Sequence, residues 1–178
     1  MTSINVRDER ETDVDAIRAI TELAFRDVPQ SRQTESAIID GLREAGALTL
    51  SLVAVDEAGQ VVGHVAVSPI SLDGNAAVGW YGGGPLSVRP DLQRRGIGSA
   101  LVDAAATRLR EMGAQGCVIV GDPNYYGRLG IASGAPSLTV AGVPPENVLV
   151  APLQSDAIPT GTVAFHPAFD ARPDALSA

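Results

Sequence analysis

Apolar positions along this chain change period several times, and each change marks an element. Ala16, Ile17, Ile20, Leu23 and Ala24 recur at helical spacing. Thr12, with Asp15 three residues on, reads as a capping box ahead of them. A second amphipathic helix is expected from about Thr34 to Ala45, with Ala37, Ile38 and Leu42 inward. Arg26 to Arg32, which includes Pro29, reads as the loop between the two. Leu48 to Val55 then alternates with period two, like a half-buried strand. Asp56-Glu-Ala-Gly59 reads as a turn and Val61 to Val67 as the returning strand of an antiparallel hairpin. Asp73-Gly74 marks another turn before a strand from Ala76 to Tyr81. Gly82-Gly83-Gly84 allows two readings, a loose bulge or a floor where a ligand lies against the backbone.

Leu86 to Val88 closes that strand. A helix from Gly98 to Met112 is expected to bury Leu101, Val102, Ala105, Leu109 and Met112. Asp103, Arg110 and Glu111 fall outside it, and Gly113 stops it. Cys117 to Val120 reads as a short buried strand, and the strand–helix–strand order implies a right-handed parallel crossover. Asp122-Pro123 has the form of an N-cap and first helical residue. From Pro136 onward the chain holds seven of its 12 prolines and becomes loop-rich. Val148 to Ala151 and Thr162 to Phe165 are the last expected strands, and residues 170–178 read as a tail.

The chemistry concentrates where the strand ending at Val88 runs through Gln93-Arg94-Arg95-Gly96-Ile97-Gly98 into a helix. A helix start offers unpaired N–H groups and a positive dipole end, which suit an anion. Glycines let that anion approach the backbone, and arginine forks match phosphate. Arg89, Arg94 and Arg95 crowd beside this turn, so the junction reads as a diphosphate cradle. A Walker loop is excluded, because the chain contains no lysine. A dinucleotide fingerprint needs a third glycine where Leu101 stands. Asp122 could still serve as a ribose-binding acid, which keeps a Rossmann-like nucleotide-binding module as an alternative.

Val88-x-Pro90-x-x-Gln93-x-x-Gly96-x-Gly98 resembles the acetyl-CoA signature of the GNAT N-acetyltransferase superfamily. Tyr126-x-x-x-Gly130-Ile131 resembles the family's second motif, Tyr-x-x-x-Gly-Phe, with Ile in place of Phe. The start, Val6-Arg7-Asp8 and Thr12 to Ile20, is similar to family openings. The resemblance therefore covers most of residues 4–131. Gly121-Asp-Pro-Asn-Tyr-Tyr126 and Gly161 to Phe169 look like one bacterial branch of uncharacterised acetyltransferases.

The resemblance implies an α/β (α+β) fold with a mixed, largely antiparallel central sheet, splayed at the acetyl-CoA site and flanked by helices. It implies one domain over 1–178, with its core in 4–131, loop-rich C-terminal strands in 136–169 and a tail in 170–178. The cosubstrate implied is acetyl-CoA. Leu86, Ser87 and Val88 would hold the pantetheine arm, and Gln93, Arg94, Arg95, Gly96, Ile97, Gly98 and Ser99 would wrap the pyrophosphate. The Val88 amide would be the oxyanion donor. Tyr126 would be the general acid for the leaving thiolate and a cofactor contact, with Tyr125 as its rival neighbour. The family often has Asn where Ile119 stands, and Asn124 would take over some of that contact. The first two helices would border the acceptor cleft.

Among bases, Glu22, His64 and Asp122 stay open. His64, on a strand face with Val62 and Ala66, reads first as a structural histidine, and His166 receives no role. Cys117 reads as an inert buried thiol. Two histidines and one cysteine argue against any metal. A net charge of −8 argues against binding nucleic acid or an anionic membrane. A polar start and the lack of a long apolar run point to the cytoplasm. The expected activity is direct acetyl transfer in a ternary complex to a small-molecule or peptide amine. The acceptor's identity is not legible, and a homodimer is left open. The non-enzymatic alternative is a silent CoA-binding or sensing protein.

Overall fold

The structure, a computed structural model, describes residues 3–133 and 136–172. The last residues of the expected tail, 173–178, lie outside the described residues. The chain forms two compact units. One holds the chain through Val67, Pro85–Ala105 and the stretch from Pro167; the other holds Ser68–Gly84 and Ala106–His166. The class is the expected mixed α/β one, with an open, mostly antiparallel sheet flanked by helices.

In the first unit β1 (Asn5–Asp8), β2 (Leu50–Val55) and the opening of β3 (Val61–Leu72) pair antiparallel. Helices α1 (Val14–Phe25) and α2 (Glu35–Glu44) cover one face, where Ile17, Ile39, Val53 and Val55 form a core. Every residue of β2 is buried, so the strand expected to be half-buried is covered on both faces. The phase of α1 is also turned from the expected one. Ile17, Ile20 and Thr21 are buried, while Leu23 is exposed. Thr21 can face inward because its hydroxyl donates to the carbonyl of Ile17 at 2.7 Å. The helix entry differs as well. Asp13, not Thr12, takes the N–H of Arg10 at 2.7 Å, and Asp15 is drawn outward to Arg18.

Strand β4 (Asn75–Val88) belongs to the second unit up to Gly84 and there pairs parallel with β5 (Gly116–Val120), the crossover expected from strand–helix–strand order. The helix between them is α3 (Ile97–Glu111). The register ends at Gly83↔Ile119, while β4 runs on to Val88. Three further strands, β6 (Ala132–Ser133), β7 (Leu138–Val140) and β8 (Val148–Pro152), follow the short helix α4 (Pro123–Arg128). The last strand, β9 (Gly161–Phe165), pairs with both β3 and β7. Ile70, Trp80, Val118, Leu138 and Val150 form the core.

The glycine run in β4 has a packing reason. A Cβ on Gly82 would strike the Phe165 ring, and one on Gly83 would meet Ile119 and Cys117. Gly84, at φ 113, is open around its missing Cβ. Met112, expected inward, is exposed, because α3 closes one residue earlier. The closing bonds are Gly113 N–H to Arg110 and Ala114 N–H to Leu109.

Candidate functional site

The strand–turn–helix junction of the first unit is built from the inside outward. Ile97 and Leu101 anchor the start of α3, both nearly fully buried. They fit because β3 carries Gly63, where a Cβ would lie 2.9 Å from Leu101 and 3.2 Å from the Ser87 carbonyl. The end of β4 is tied to β3 by Arg89 N–H donating to the Val62 carbonyl at 2.9 Å. The Gln93 amide donates to the Val88 carbonyl at 3.2 Å and so fixes the turn to the strand end.

Within the turn, Arg94 (φ 63) and Gly96 (φ 86) adopt left-handed backbone. Left-handed residues in a tight turn let nearby N–H groups face one side, a geometry suited to an anion. The amides from Arg94 to Ser99 donate to no backbone carbonyl among the described residues. Gly96 has open space where a Cβ would stand. Arg94 and Arg95 are exposed and enter no ion pair among the described residues. Arg89 is different. Its guanidinium is bound to Asp91 at 2.7 Å and 3.1 Å, so its charge is already matched and it leaves the expected basic trio. Leu86, Ser87, Val88, Gln93, Ile97, Gly98 and Ser99 all belong to this unit. Ser87 is buried and donates to the Thr21 hydroxyl at 3.3 Å.

Tyr126 and Asn124 belong to the second unit, at the junction of β5 with α4. Asp122 caps α4 by accepting the Asn124 N–H at 2.9 Å, so this base candidate is engaged as a cap. A Cβ on Gly121 would lie 2.5 Å from the Tyr126 ring. Tyr125 meets that ring edge-on, with centroids 5.1 Å apart. Burial, with Tyr125 and Cys117 nearby, pushes the Tyr126 phenol well above its usual range. Burial likewise pushes the Cys117 thiol up to about 12, which makes it inert at neutral pH.

His64 is fully buried, and burial pulls its pKa down to about 4. Its Nε2 lies 2.8 Å from the Ser51 hydroxyl, which in turn donates to Glu9 at 2.8 Å. Glu9 is bound by the Arg43 guanidinium at 2.8 Å and 3.1 Å. Burial opposes its charge, but the bonds from Arg43 and Ser51 hold the carboxyl below its ordinary pKa. Since Ser51 gives its proton to a carboxylate, His64 must present Nε2–H and keep a bare Nδ1. That Nδ1 has no partner among the described residues. A buried neutral histidine with so low a pKa is a poor proton acceptor for an amine. No group of histidines, cysteines and carboxylates suited to a metal occurs among the described residues. No described helix is long and apolar enough to cross a membrane.

A cavity of about 220 Å³ opens between α1 and α2. Thr21 and Ser36 form its buried floor, Phe25 and Glu35 its half-buried wall, and Glu22, Arg26 and Gln33 its rim. Of these residues only Glu22 stands out in the sequence. The others are brought together by the α1–α2 loop, which has no periodicity to read.

Residues 15–130 match the Acetyltransferase (GNAT) family. The chain belongs to that family. This GNAT chain is 35% identical over 130 residues to the uncharacterized N-acetyltransferase YhbS of Escherichia coli K12, across 73% of this chain and 74% of that protein. A GNAT family acetyltransferase from Brucella melitensis, solved in complex with acetyl-CoA, shares 43% identity at a TM-score of 0.81. The match spans 94% of this chain and 99% of that one. Escherichia coli YhbS, solved in complex with CoA, shares 31% identity at a TM-score of 0.83, over 96% of this chain and 94% of that one. The GNAT resemblance carried by Gln93, Gly96 and Gly98 is thereby borne out.

Proposed function

We propose that this GNAT acetyltransferase takes acetyl-CoA and transfers the acetyl group directly to a primary amine held in the same complex. The observation that carries the reading is the run of amides from Arg94 to Ser99, which donate to no backbone carbonyl among the described residues, beside the left-handed Arg94 and Gly96 at the start of α3. Such a run neutralises a pyrophosphate with fixed dipoles, and Arg94 and Arg95 add charge-assisted bonds. Leu86, Ser87 and Val88 hold the pantetheine arm, and Asn124 contacts the cofactor near Tyr126.

The deprotonated amine nitrogen attacks the thioester carbonyl carbon and forms a tetrahedral oxyanion. The Val88 N–H stabilises that oxyanion. Its collapse breaks the C–S bond and releases CoA as a thiolate, to which the Tyr126 hydroxyl donates a hydrogen bond while solvent supplies the proton. The amine loses one proton to solvent or a base, so the products are an acetamide and CoA thiol. The acceptor enters through the cavity between α1 and α2, whose floor residue Thr21 is bonded to Ser87.

Gly98→Glu tests the cradle. It places a side chain and a negative charge where the diphosphate sits. Calorimetry is expected to show micromolar-class binding of CoA to the wild type and none to the folded variant. Unchanged affinity in that variant would overturn the assignment. Arg94→Ala and Arg95→Ala are expected to weaken binding less, because backbone amides remain.

A further inference from the structure

The cavity between α1 and α2 carries a pattern of charge that acetyl-CoA does not use. Arg18 and Arg43, on the same two helices, are each bound to carboxylates: Arg18 to Asp15 and Asp40, Arg43 to Glu9 and Asp40. Glu22, Arg26 and Glu35, all lining the cavity, enter no ion pair among the described residues. Glu22 accepts only a long bond from Ser36, at 3.4 Å, and Glu35 accepts the Ser31 hydroxyl at 2.6 Å.

The charges are also sorted by depth. The exposed rim holds one of each sign, Glu22 and Arg26. The half-buried wall holds one negative charge, Glu35, beside the apolar ring of Phe25. The floor is uncharged, made by Thr21 and Ser36. The rim is held stiffly. Gln33 sits at φ 60, a left-handed conformation that costs a residue with a Cβ and persists where surroundings enforce it. Its side-chain amide donates to the Phe25 carbonyl at 2.7 Å, and its N–H donates to Ser31 at 2.9 Å.

We infer, resting on the reading of this cavity as the acceptor entrance, that the acceptor is a free diamino acid whose side chain ends in a primary amine. The rim pair matches a zwitterion: the Arg26 fork takes the α-carboxylate and Glu22 takes the α-ammonium. Phe25 covers the methylenes. Glu35 attracts the distal ammonium and brings it towards Thr21. Thr21 is bonded to Ser87, next to Val88, so it is the distal nitrogen that faces the thioester. Size agrees, since about 220 Å³ lies below the roughly 300–1,000 Å³ of sites for drug-sized ligands. A multi-ring aminosugar overfills it. A plain diamine leaves Arg26 unmatched. A lysine within a peptide has both α-groups in amide bonds and leaves Glu22 and Arg26 unmatched together.

The test is calorimetric titration into the full-length protein loaded with CoA, which cannot turn over. The ligands are L-lysine, L-ornithine, cadaverine and Nα-acetyl-L-lysine methylamide. The free diamino acids are expected to bind at least tenfold more tightly than cadaverine or the capped lysine. Arg26→Gln should remove the preference over cadaverine by weakening the diamino acids, with no loss of cadaverine's own affinity. Glu35→Gln should weaken all four ligands. Equal or tighter binding of the capped lysine overturns the inference in favour of a peptide acceptor, and equal binding of cadaverine overturns it in favour of a diamine. No binding of any ligand while CoA binds normally overturns it and leaves the acetyl-CoA reading standing. Failure of CoA itself strikes that reading instead, and the same ligands titrated without CoA then decide the cavity by itself.

Discussion

Tyr126 shows how far one side chain's surroundings constrain its chemistry. Burial raises its phenol well above the ordinary value, so the hydroxyl stays protonated across the neutral range. The same shift makes complete proton transfer to a thiolate uphill, since a free thiol titrates near pKa ~8.5. The hydroxyl therefore works best as a hydrogen-bond donor to the charge that develops on sulfur. General acid help is worth about 10²–10⁴-fold, and this donor belongs near the lower end. Tyr126→Phe is expected to lower kcat by about 10²-fold with CoA affinity nearly intact, read from steady-state thiol release. Tyr125→Phe should cost far less, and the reverse ranking would mean that the wrong tyrosine was assigned. Cys117 provides a second reading at this scale. Its thiol is buried and raised to about 12, and the chain has no lysine to modify. Mass spectrometry after incubation with acetyl-CoA should thus find no adduct beyond the N-terminal amine. A stoichiometric adduct on Cys117 would replace direct transfer with an acyl-enzyme.

At the scale of elements, the start of α3 is placed by what β3 lacks. Gly63 leaves room for Leu101 and Ile97, and any Cβ there meets the Ser87 carbonyl as well. Backbone cannot step aside as a flexible side chain can. Gly63→Ala is expected to destabilise the fold by about 1–3 kcal/mol, the usual cost of overpacking. It should also weaken CoA binding, because the cradle amides move with Ile97. Chemical denaturation and calorimetry on one sample read both, and an unchanged CoA affinity would uncouple Gly63 from the cradle. Much of this arrangement was legible in the residues alone. Glycine spacing located the turn, Asp122-Pro123 located α4, and Asp73-Gly74, both at positive φ, located the hairpin turn. What escaped reading depended on partners far along the chain. Full burial of β2 needs a second covering layer, which alternation of types does not encode. Thr21 faces inward only because Ile17 offers it a carbonyl. Arg89 resembled its basic neighbours until Asp91 was seen to neutralise it. The resemblance placed an acceptor cleft between the first two helices, but the rim residues Arg26 and Gln33 escaped reading because they lie in the loop between them.

For the molecule as a whole, acidification sets two opposite tendencies against each other. The net charge of −8 at pH 7 shrinks towards the isoelectric point of about 4.6, which relieves self-repulsion and stabilises the compact state. The network of His64, Ser51, Glu9 and Arg43 acts with the other sign. His64 has a native pKa of about 4 against an ordinary 6.5, so below pH 6.5 the unfolded chain binds a proton that the native one refuses. Stability must then fall with pH, because the state that binds more protons is favoured by acid. The loss begins near pH 6.5 and is complete near 4, and a shift of this size corresponds to on the order of 3 kcal/mol. Glu9 extends the effect. Its carboxyl is held below the ordinary 4.5, so its contribution is present above that value and is lost as pH falls through its native pKa. Asp13, held down chiefly by the Arg7 guanidinium, acts in the same direction. Relief of repulsion is spread over the surface and screened by salt, whereas the His64 term is buried and is not. Denaturant unfolding between pH 7.5 and 4.5 at high ionic strength should therefore show stability declining steadily below 6.5. In a folded His64→Gln protein that decline should flatten down to the range where the carboxylates titrate. A wild-type profile that is flat or rising between 6.5 and 4.5 would mean that His64 is charged in the native state, and the assignment of its bare Nδ1 would fall with it.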